Sequence, residues 1–356
     1  MVPGSAPFSV SGSHYRGRMA IMGFTRLPLD GAAADPVVLD PSQRAVVDLG
    51  DDASAAILGA PGTGKTHTLI ELVADRVRRR GWSTDQVLAL TSSRATATRL
   101  RDALALRLEV PTTGPMARTV NSLAFEIVRD AARAAGVTPP RLVTGGEQDA
   151  DIAGLVEGHL QEGTGPLWPE SLAPEVRRLG RFRTELRELM MRATEYDVTP
   201  QELAALGVSR GHPEWIAAAG FIEEYLDVVS TARETQFDAA ELARYAVAAI
   251  ASGSPGERVD ALRLVVIDDL QEATESTLAI LRALAGRGIA IIAFGDPDVA
   301  ANAFRGGEPD ALGRLATVLA RPLSTLTLST SYRQGPELRA FTAAVTARIG
   351  AAAAGT

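Results

Sequence analysis

The stretch "GAPGTGKT", Gly59 to Thr66, decides the fold of this chain and contains its only lysine. It fits the pattern G-x-x-x-x-G-K-[ST] at every fixed position, follows an apolar run and opens a helical pattern. In such a loop, glycines let backbone N–H groups curl around phosphate oxygens, and the positive end of the next helix faces the anion. The sequence therefore predicts a phosphate-binding loop whose backbone is shaped by Gly59, Gly62 and Gly64.

Lys65 stands alone among 36 basic residues, all the others being arginine. The abundance of Ala, Gly and Arg suggests a GC-rich coding bias that has displaced lysine elsewhere. A compact ammonium fits a phosphate nest as a point charge, whereas the planar guanidinium of arginine is bulkier and has a different geometry. We therefore expect Lys65 to reach the β- and γ-phosphates of ATP and Thr66 to hold Mg²⁺.

Short apolar runs alternate with helical patterns such as Lys65–Arg80 and Arg94–Leu108. The runs that predict strands are Ala55–Ala60, Gln86–Ser92, Leu262–Asp269, Gly288–Asp296 and Leu323–Ser329. Apolar, β-branched strands that alternate with helices are typical of a parallel sheet covered by helices on both faces. The sequence therefore predicts an α/β fold.

The middle of the chain has a different pattern, with helical periodicity, Pro and Gly punctuation and no convincing buried strand. We interpret it as a helical insertion between two halves of one α/β domain. The expected division is a flexible leader over 1–35, a first half over 36–120, the insertion over 121–256 and a second half over 257–350.

Composition excludes several classes of protein. Without cysteine the chain has no disulfide, thiol nucleophile or cysteine-ligated metal. No run of 18 or more apolar residues predicts a membrane span, and we expect a cytoplasmic, nucleoid-associated protein. The net charge of −7 argues weakly against nucleic-acid binding over the whole protein surface, but it does not exclude a local nucleic-acid-binding groove.

Two carboxylates follow the apolar run of "LVVIDDLQEAT", at Asp268 and Asp269. A pair of aspartates after a strand can serve only as a turn or helix cap. Behind a phosphate-binding loop, however, a carboxylate at a strand end is the usual partner that holds Mg²⁺ through water. We therefore favour the metal-binding interpretation for Asp268.

In order along the chain, these motifs resemble those of superfamily 1 DNA helicases of the UvrD/PcrA/RecB group. The boxes that carry the resemblance are "LDPSQRAVV" (39–47), "VIDDLQEAT" (266–274), "AFGDPDVAANAFRGG" (293–307) and "LSTSYRQGPEL" (328–338). The resemblance implies a RecA-like lobe with an inserted helical subdomain. It also implies that Gln43 reads the adenine edge, Gln271 couples nucleotide state to DNA, Tyr332 stacks on adenine and Arg333 contacts the γ-phosphate.

Two further segments, "LALTSSRATATRLRDAL" and "TVNSLAF", stand where the family contacts single-stranded DNA. The resemblance implies phosphate contacts from Thr91 and Ser122 and base stacking on Phe304. The expected partners are single-stranded or duplex-end DNA and a second subunit of a heterodimeric helicase–nuclease. The Ala- and Arg-rich composition and the degenerate motifs are most similar to those of the AdnA-type subunit of actinobacterial AdnAB enzymes.

Departures from the family pattern concern ATP hydrolysis and the contacts that hold DNA bases. Asp269 stands where the family has its catalytic Glu, so the carboxylate is drawn back by about 1.5 Å, one C–C bond. Val299 replaces a glutamine that senses the γ-phosphate, and Ser92 replaces an aromatic that stacks on a base. We therefore expect intact nucleotide binding with weakened hydrolysis.

The leading hypothesis is a 3′-to-5′ ATP-dependent DNA helicase subunit of DNA repair and recombination, with Asp269 holding the attacking water. We expect the second RecA-like lobe to be absent after the tyrosine–arginine box, so that these residues alone have little unwinding activity. One alternative is a catalytically weak or inactive nucleotide-binding scaffold that braces a partner helicase. Another is a P-loop ATPase that does not touch DNA.

Overall fold

The computed structural model describes residues 38–232, 236–301, 306–333 and 335–349. From Leu39 onward the described residues belong to one compact unit. The predicted leader over 1–35 and the predicted DNA-stacking residue Phe304 lie outside the described residues.

Eight strands are described, and six of them form one parallel sheet. The strands are β1 (Ala55–Leu58), β2 (Val87–Thr91), β3 (Ala117–Thr119), β4 (Arg141–Leu142), β5 (Gln236–Phe237), β6 (Leu264–Ile267), β7 (Ala290–Gly295) and β8 (Ser324–Thr327). The sheet order is β3-β2-β6-β7-β1-β8, and β4 pairs with β5 separately. Every residue of β1, β2, β6 and β7 is buried, as strands covered on both faces should be. The α/β prediction is confirmed.

The strand order brings several chain segments to one edge of the sheet, because the carboxyl ends of parallel strands lie together. The segments after β6, β7, β1 and β8 begin with Asp268, Asp296, Gly59 and Leu328. The hydrogen-bond ladder continues beyond the strand ends, since the Gly59 N–H donates to the Gly295 carbonyl at 3.1 Å. Ligands of open α/β sheets bind at this kind of edge.

Fourteen α-helices are assigned in the described residues. They are α1 (Pro41–Val47), α2 (Lys65–Ala74), α3 (Arg94–Leu108), α4 (Val120–Ala134), α5 (Gly145–Glu162), α6 (Pro174–Arg177), α7 (Gly180–Glu195), α8 (Pro200–Arg210), α9 (Pro213–Ala232), α10 (Ala239–Ala251), α11 (Glu257–Asp260), α12 (Glu275–Gly286), α13 (Leu315–Leu319) and α14 (Pro336–Ile349). The helix predicted over Arg94–Leu108 is α3. The pattern predicted over Lys65–Arg80 is α2 followed by a wider π-helical turn, Asp75–Arg79.

Helices cover both faces of the sheet, and successive strand residues alternate between two hydrophobic cores. Leu88 and Leu90 of β2 pack in the core formed with α4, α10, α12 and α13. Val87 and Ala89 of the same strand pack in the opposite core, with α1, α2 and α3. The four central strands are therefore buried on both sides, whereas the edge strands β3 and β8 are partly exposed and contain polar residues.

A third hydrophobic cluster lies within the helical middle of the chain. It is built by α5, α7, α8 and α9 around residues such as Phe182, Phe221 and Tyr225. By contrast, α4 and α10, which also fall in the expected insertion over 121–256, pack against the sheet. The helices of that range therefore divide between two cores, and the domain boundaries stay a prediction.

Candidate functional site

The loop between β1 and α2 has the backbone that its glycines permit. Gly62 and Gly64 have φ of 89° and 83°, in the left-handed region where a side chain is strained. Neighbouring side chains would also crowd a Cβ at both positions. A Cβ on Gly62 would lie 2.6 Å from the Arg333 Cβ, and one on Gly64 would lie 2.7 Å from the Gln43 Nε2. Glycine is therefore required for the turn and for the close approach of the neighbouring segments.

The ammonium group of Lys65 lies over this loop. Its Nζ donates to the Gly59 carbonyl at 2.6 Å and to the Ala60 carbonyl at 3.4 Å. Lys65 is also the first residue of α2, so the charge lies beside the positive end of a helix. Two sources of positive potential thus converge where the motif predicts phosphate.

Thr66 and Asp268 meet at the start of α2. The Thr66 hydroxyl donates to Asp268 Oδ2 at 2.7 Å, although the two residues are far apart in sequence. Burial, together with the neighbouring charge of Asp269, raises the pKa of Asp268, while Thr66 and Lys65 oppose that change. Hydroxyl and carboxylate oxygens are the ligands that Mg²⁺ prefers, and it fills its other positions with water and phosphate. The pair therefore fits the predicted metal.

Asp269 and Gln271 connect two strand ends. Asp269 has φ of 55°, a left-handed conformation that aspartate tolerates better than most residues. The buried Gln271 amide donates to Asp269 Oδ1 at 3.3 Å and accepts the Asp296 N–H at 3.0 Å. The carboxylate in the predicted catalytic position is thus tied through Gln271 to the segment after β7.

A cavity of about 580 Å³ opens at this edge of the sheet. Eight of the sequence-predicted residues line it, namely Gly62, Gly64, Lys65, Thr66, Asp269, Gln271, Tyr332 and Arg333. Gly59 and Asp268 do not line it, but each contacts a residue that does, Lys65 and Thr66 respectively. The loop, the acidic strand end and the tyrosine–arginine segment therefore share one cavity.

Asp296 also lines the cavity, although sequence reasoning assigned it no role. Burial raises the pKa of its carboxyl group, and the charge of Lys65 opposes that effect. The signal that could have identified it was its position directly after the apolar run 288–295. Val299 lines the same cavity, so the aliphatic replacement noted in the sequence faces this space.

Gln43 and Tyr332 have different surroundings. The buried Gln43 amide accepts the Asp40 N–H at 3.2 Å and donates to the Thr63 carbonyl at 3.4 Å, and it does not line the cavity. The Tyr332 ring does line it, and its hydroxyl donates to Asp40 Oδ2 at 2.7 Å. Both base contacts stay predictions, but only Tyr332 faces the cavity.

A second cavity of about 220 Å³ adjoins the first, and Asp269 lines both. Of the residues predicted to contact DNA, the buried Thr91 lines this second cavity, and its hydroxyl contacts the Thr96 hydroxyl. Ser122 does not line it. It lies exposed in the first turn of α4, where its N–H donates to Thr119 Oγ1 at 3.2 Å. The structure therefore brings Thr91, but not Ser122, beside the acidic strand end.

Comparison with known proteins gives one family. The model of the UvrD/REP helicase N-terminal domain matches residues 39–317, which include the phosphate-binding loop and the acidic strand end. No curated protein sequence matches the chain. Among the helices that the structure describes, none combines the length and apolar character needed to cross a membrane. With its parallel sheet, its glycine loop and the match over most of its length, the chain belongs to the UvrD/REP helicase N-terminal domain family.

Proposed function

We propose that this chain is the ATP-binding motor lobe of a 3′-to-5′ DNA helicase subunit. One observation carries the proposal: Lys65, Thr66, Asp269 and Arg333 line a single cavity at the carboxyl edge of a parallel sheet. A triphosphate in that cavity would meet the loop on one side and the acidic strand end on the other. Membership of the helicase family supports DNA as the macromolecule on which the motor acts.

Each polar group of the cavity has a proposed role. Lys65 neutralises charge on the β- and γ-phosphates, and Thr66 and Asp268 hold Mg²⁺. When bound, the metal supplies charge neutralisation between the phosphates. Asp269 orients the attacking water and Arg333 stabilises charge that develops on the γ-phosphate. Asp296 adds a further carboxylate to the lining of the cavity.

DNA contact is proposed for the surface next to the second cavity. Because Asp269 lines both cavities, a strand held near Thr91 would lie beside the residue that orients the water. Ser122 and Phe304 complete the proposed contact set. We further propose a role at the nucleoid in DNA repair and recombination, as an AdnA-type subunit beside a helicase–nuclease partner.

The test is ATP turnover by the full chain, measured with and without single-stranded DNA and with Mg²⁺ removed by a chelator. We expect turnover that requires Mg²⁺ and rises with DNA. We also expect DNA affinity to fall with salt along a negative log–log slope, as phosphate contacts require. Binding of nucleotide without any salt-sensitive DNA affinity would favour a P-loop ATPase that does not touch DNA.

A second candidate function is a nucleotide-binding scaffold with little or no hydrolysis that braces a partner motor. The specific observations in its favour are the short Asp269 carboxylate, already bonded to Gln271, and the aliphatic Val299 in the cavity wall. In this second candidate the Asp269 carboxylate does not reach the attacking water, and Val299 cannot hydrogen-bond the γ-phosphate.

The substitution Asp269→Glu separates the two candidates. If the short carboxylate limits hydrolysis, the longer side chain should raise DNA-stimulated turnover by about tenfold or more, within the range of general-base effects. The left-handed backbone at position 269 opposes the change by about 1 kcal/mol of strain. Asp269→Asn is the matched control, because it keeps the size and removes the charge. Equal turnover in the wild type and both variants would favour the scaffold.

A further inference from the structure

Three distant segments meet at the end of the cavity that the Tyr332 ring lines. They are the residues before α1, the phosphate-binding loop, and the segment 329–333 after β8. The Ser329 N–H donates to Ser42 Oγ at 3.3 Å, and the Tyr332 N–H donates to the Gly62 carbonyl at 2.8 Å. The segment that carries the tyrosine is thus attached to both α1 and the loop.

Tyr332 is held at both of its ends. Its backbone bonds to Gly62, and its hydroxyl donates to Asp40 Oδ2 at 2.7 Å. The residue is nevertheless 57% exposed, so it remains accessible to a ligand. An exposed aromatic ring fixed at two points presents a defined face, which lowers the entropy lost when a flat ligand stacks on it.

The two carboxylate oxygens of Asp40 accept hydrogen bonds from different segments. Oδ1 accepts the Ser42 hydroxyl at 2.6 Å and the Gln43 N–H at 2.9 Å, which caps α1. Oδ2 accepts the Tyr332 hydroxyl. Partial burial alone would raise the pKa of Asp40, but these hydrogen bonds together lower it to about 2. Asp40 is therefore an anion at neutral pH, and a hydrogen bond to an anion is stronger than one between neutral groups.

We propose that Asp40 is a positioning residue for the base of a nucleoside triphosphate and acts by fixing the face of the Tyr332 ring. The inference rests on the proposed function, since it requires a nucleoside triphosphate in the cavity. The Gln43 amide is buried, bonds Asp40 and Thr63 and does not line the cavity, so stacking on Tyr332 is the contact with the base that Asp40 controls. Every base has a face that can stack, so Asp40 acts on affinity for the base and not on the choice of base.

The experiment compares a ligand with a base and a ligand without one. The full chain is titrated with ATP, GTP and inorganic tripolyphosphate, each with Mg²⁺, for the wild type, Asp40→Ser, Tyr332→Phe and the double variant. Serine is a favoured helix cap, so it keeps the cap that Asp40 Oδ1 provides to α1 and removes the hydrogen bond that Oδ2 accepts from Tyr332. Phenylalanine keeps the ring and removes the hydroxyl.

We expect each single variant to weaken ATP and GTP alike by about three- to tenfold, the size of one lost hydrogen bond at an exposed site. The double variant should be no weaker than either single variant, because both remove the same contact. Tripolyphosphate affinity should not change. An equal loss of affinity for tripolyphosphate and for ATP would overturn the inference, because it would mean that the variants disturb the phosphate-binding loop. Additive losses, or a loss for ATP but not GTP, would overturn it as well.

Lys65→Ala separates this inference from the proposed function. It should weaken all three ligands, since each carries phosphates. If the wild type bound none of the ligands, the proposed function and the inference would both be wrong. If the wild type bound all three and the Asp40 and Tyr332 variants kept the same ratio of ATP to tripolyphosphate affinity, the inference alone would be wrong.

Discussion

Replacing Lys65 by alanine is expected to reduce ATP turnover by about 100- to 1,000-fold, the usual effect of removing one preorganised charge from a transition state. The Lys65 ammonium lies 2.6 Å from the Gly59 carbonyl, over a loop whose backbone is shaped by Gly62 and Gly64. No other lysine exists in the chain to take its place. The measurement is steady-state turnover at saturating Mg²⁺ and single-stranded DNA.

Lys65→Arg is the informative control, because arginine is the basic residue used everywhere else in this chain. It keeps the positive charge but replaces a compact ammonium by a planar fork. The Lys65 Nζ donates to the Gly59 and Ala60 carbonyls at the loop, a position that suits a compact ammonium better than a planar guanidinium. We expect turnover nearly as low as in the alanine variant. Wild-type turnover in Lys65→Arg would show that a positive charge alone is sufficient and that the chemistry does not require lysine at this position.

The central strands could be predicted from sequence because burial on both faces leaves a continuous apolar run. The runs at 55–60, 86–92, 262–269 and 288–296 contain β1, β2, β6 and β7, whose residues are all buried. The edge strand β3 was missed, because three residues with only the first buried make no such run. Two-residue strands such as β4 leave no periodicity at all.

In the candidate site, too, the residues that lie in continuous motifs could be predicted, whereas those brought in by tertiary packing could not. The phosphate-binding loop and Asp268 could be predicted, because their residues lie in short continuous motifs. Asp296 also follows a predicted strand, but that position alone assigns it no role, since its approach to the cavity depends on β7 lying between β6 and β1. The contact between Asp40 and Tyr332 joins residues 292 positions apart, which no local pattern reports. Sequence thus identified the residues of motifs, while strand order and tertiary packing determine which other residues meet them.

Arg76 is a further residue whose importance only the structure reveals. Its side chain is fully buried at the start of the π-helical turn after α2. Its guanidinium donates to the Val47 carbonyl at 3.1 Å, the Leu49 carbonyl at 2.7 Å and Asp75 Oδ2 at 2.9 Å. The first two acceptors lie at and just beyond the end of α1, where helix carbonyls have no partner within the helix. Arg76 therefore attaches α1 to the rest of the lobe.

We expect Arg76→Ala to lower the free energy of unfolding by about 3–5 kcal/mol, because it leaves buried carbonyls and a buried carboxylate with fewer donors and opens a cavity. Equilibrium unfolding in urea measures the loss. Since α1 follows Asp40 directly, the variant should also weaken ATP binding more than tripolyphosphate binding.

Arg79→Ala is the matched control for this prediction. Arg79 is an arginine of the same turn and also bonds Asp75, at 2.8 Å, but its side chain is 67% exposed. Its loss should cost no more than about 0.5 kcal/mol, as for other exposed ion pairs. Arg76→Met separates packing from hydrogen bonding, since it refills the volume and removes the Arg76 donors to the Val47 and Leu49 carbonyls. Full stability in Arg76→Met would show that volume alone matters, whereas a loss between those of the wild type and Arg76→Ala would assign the remainder to the bonds that hold the end of α1.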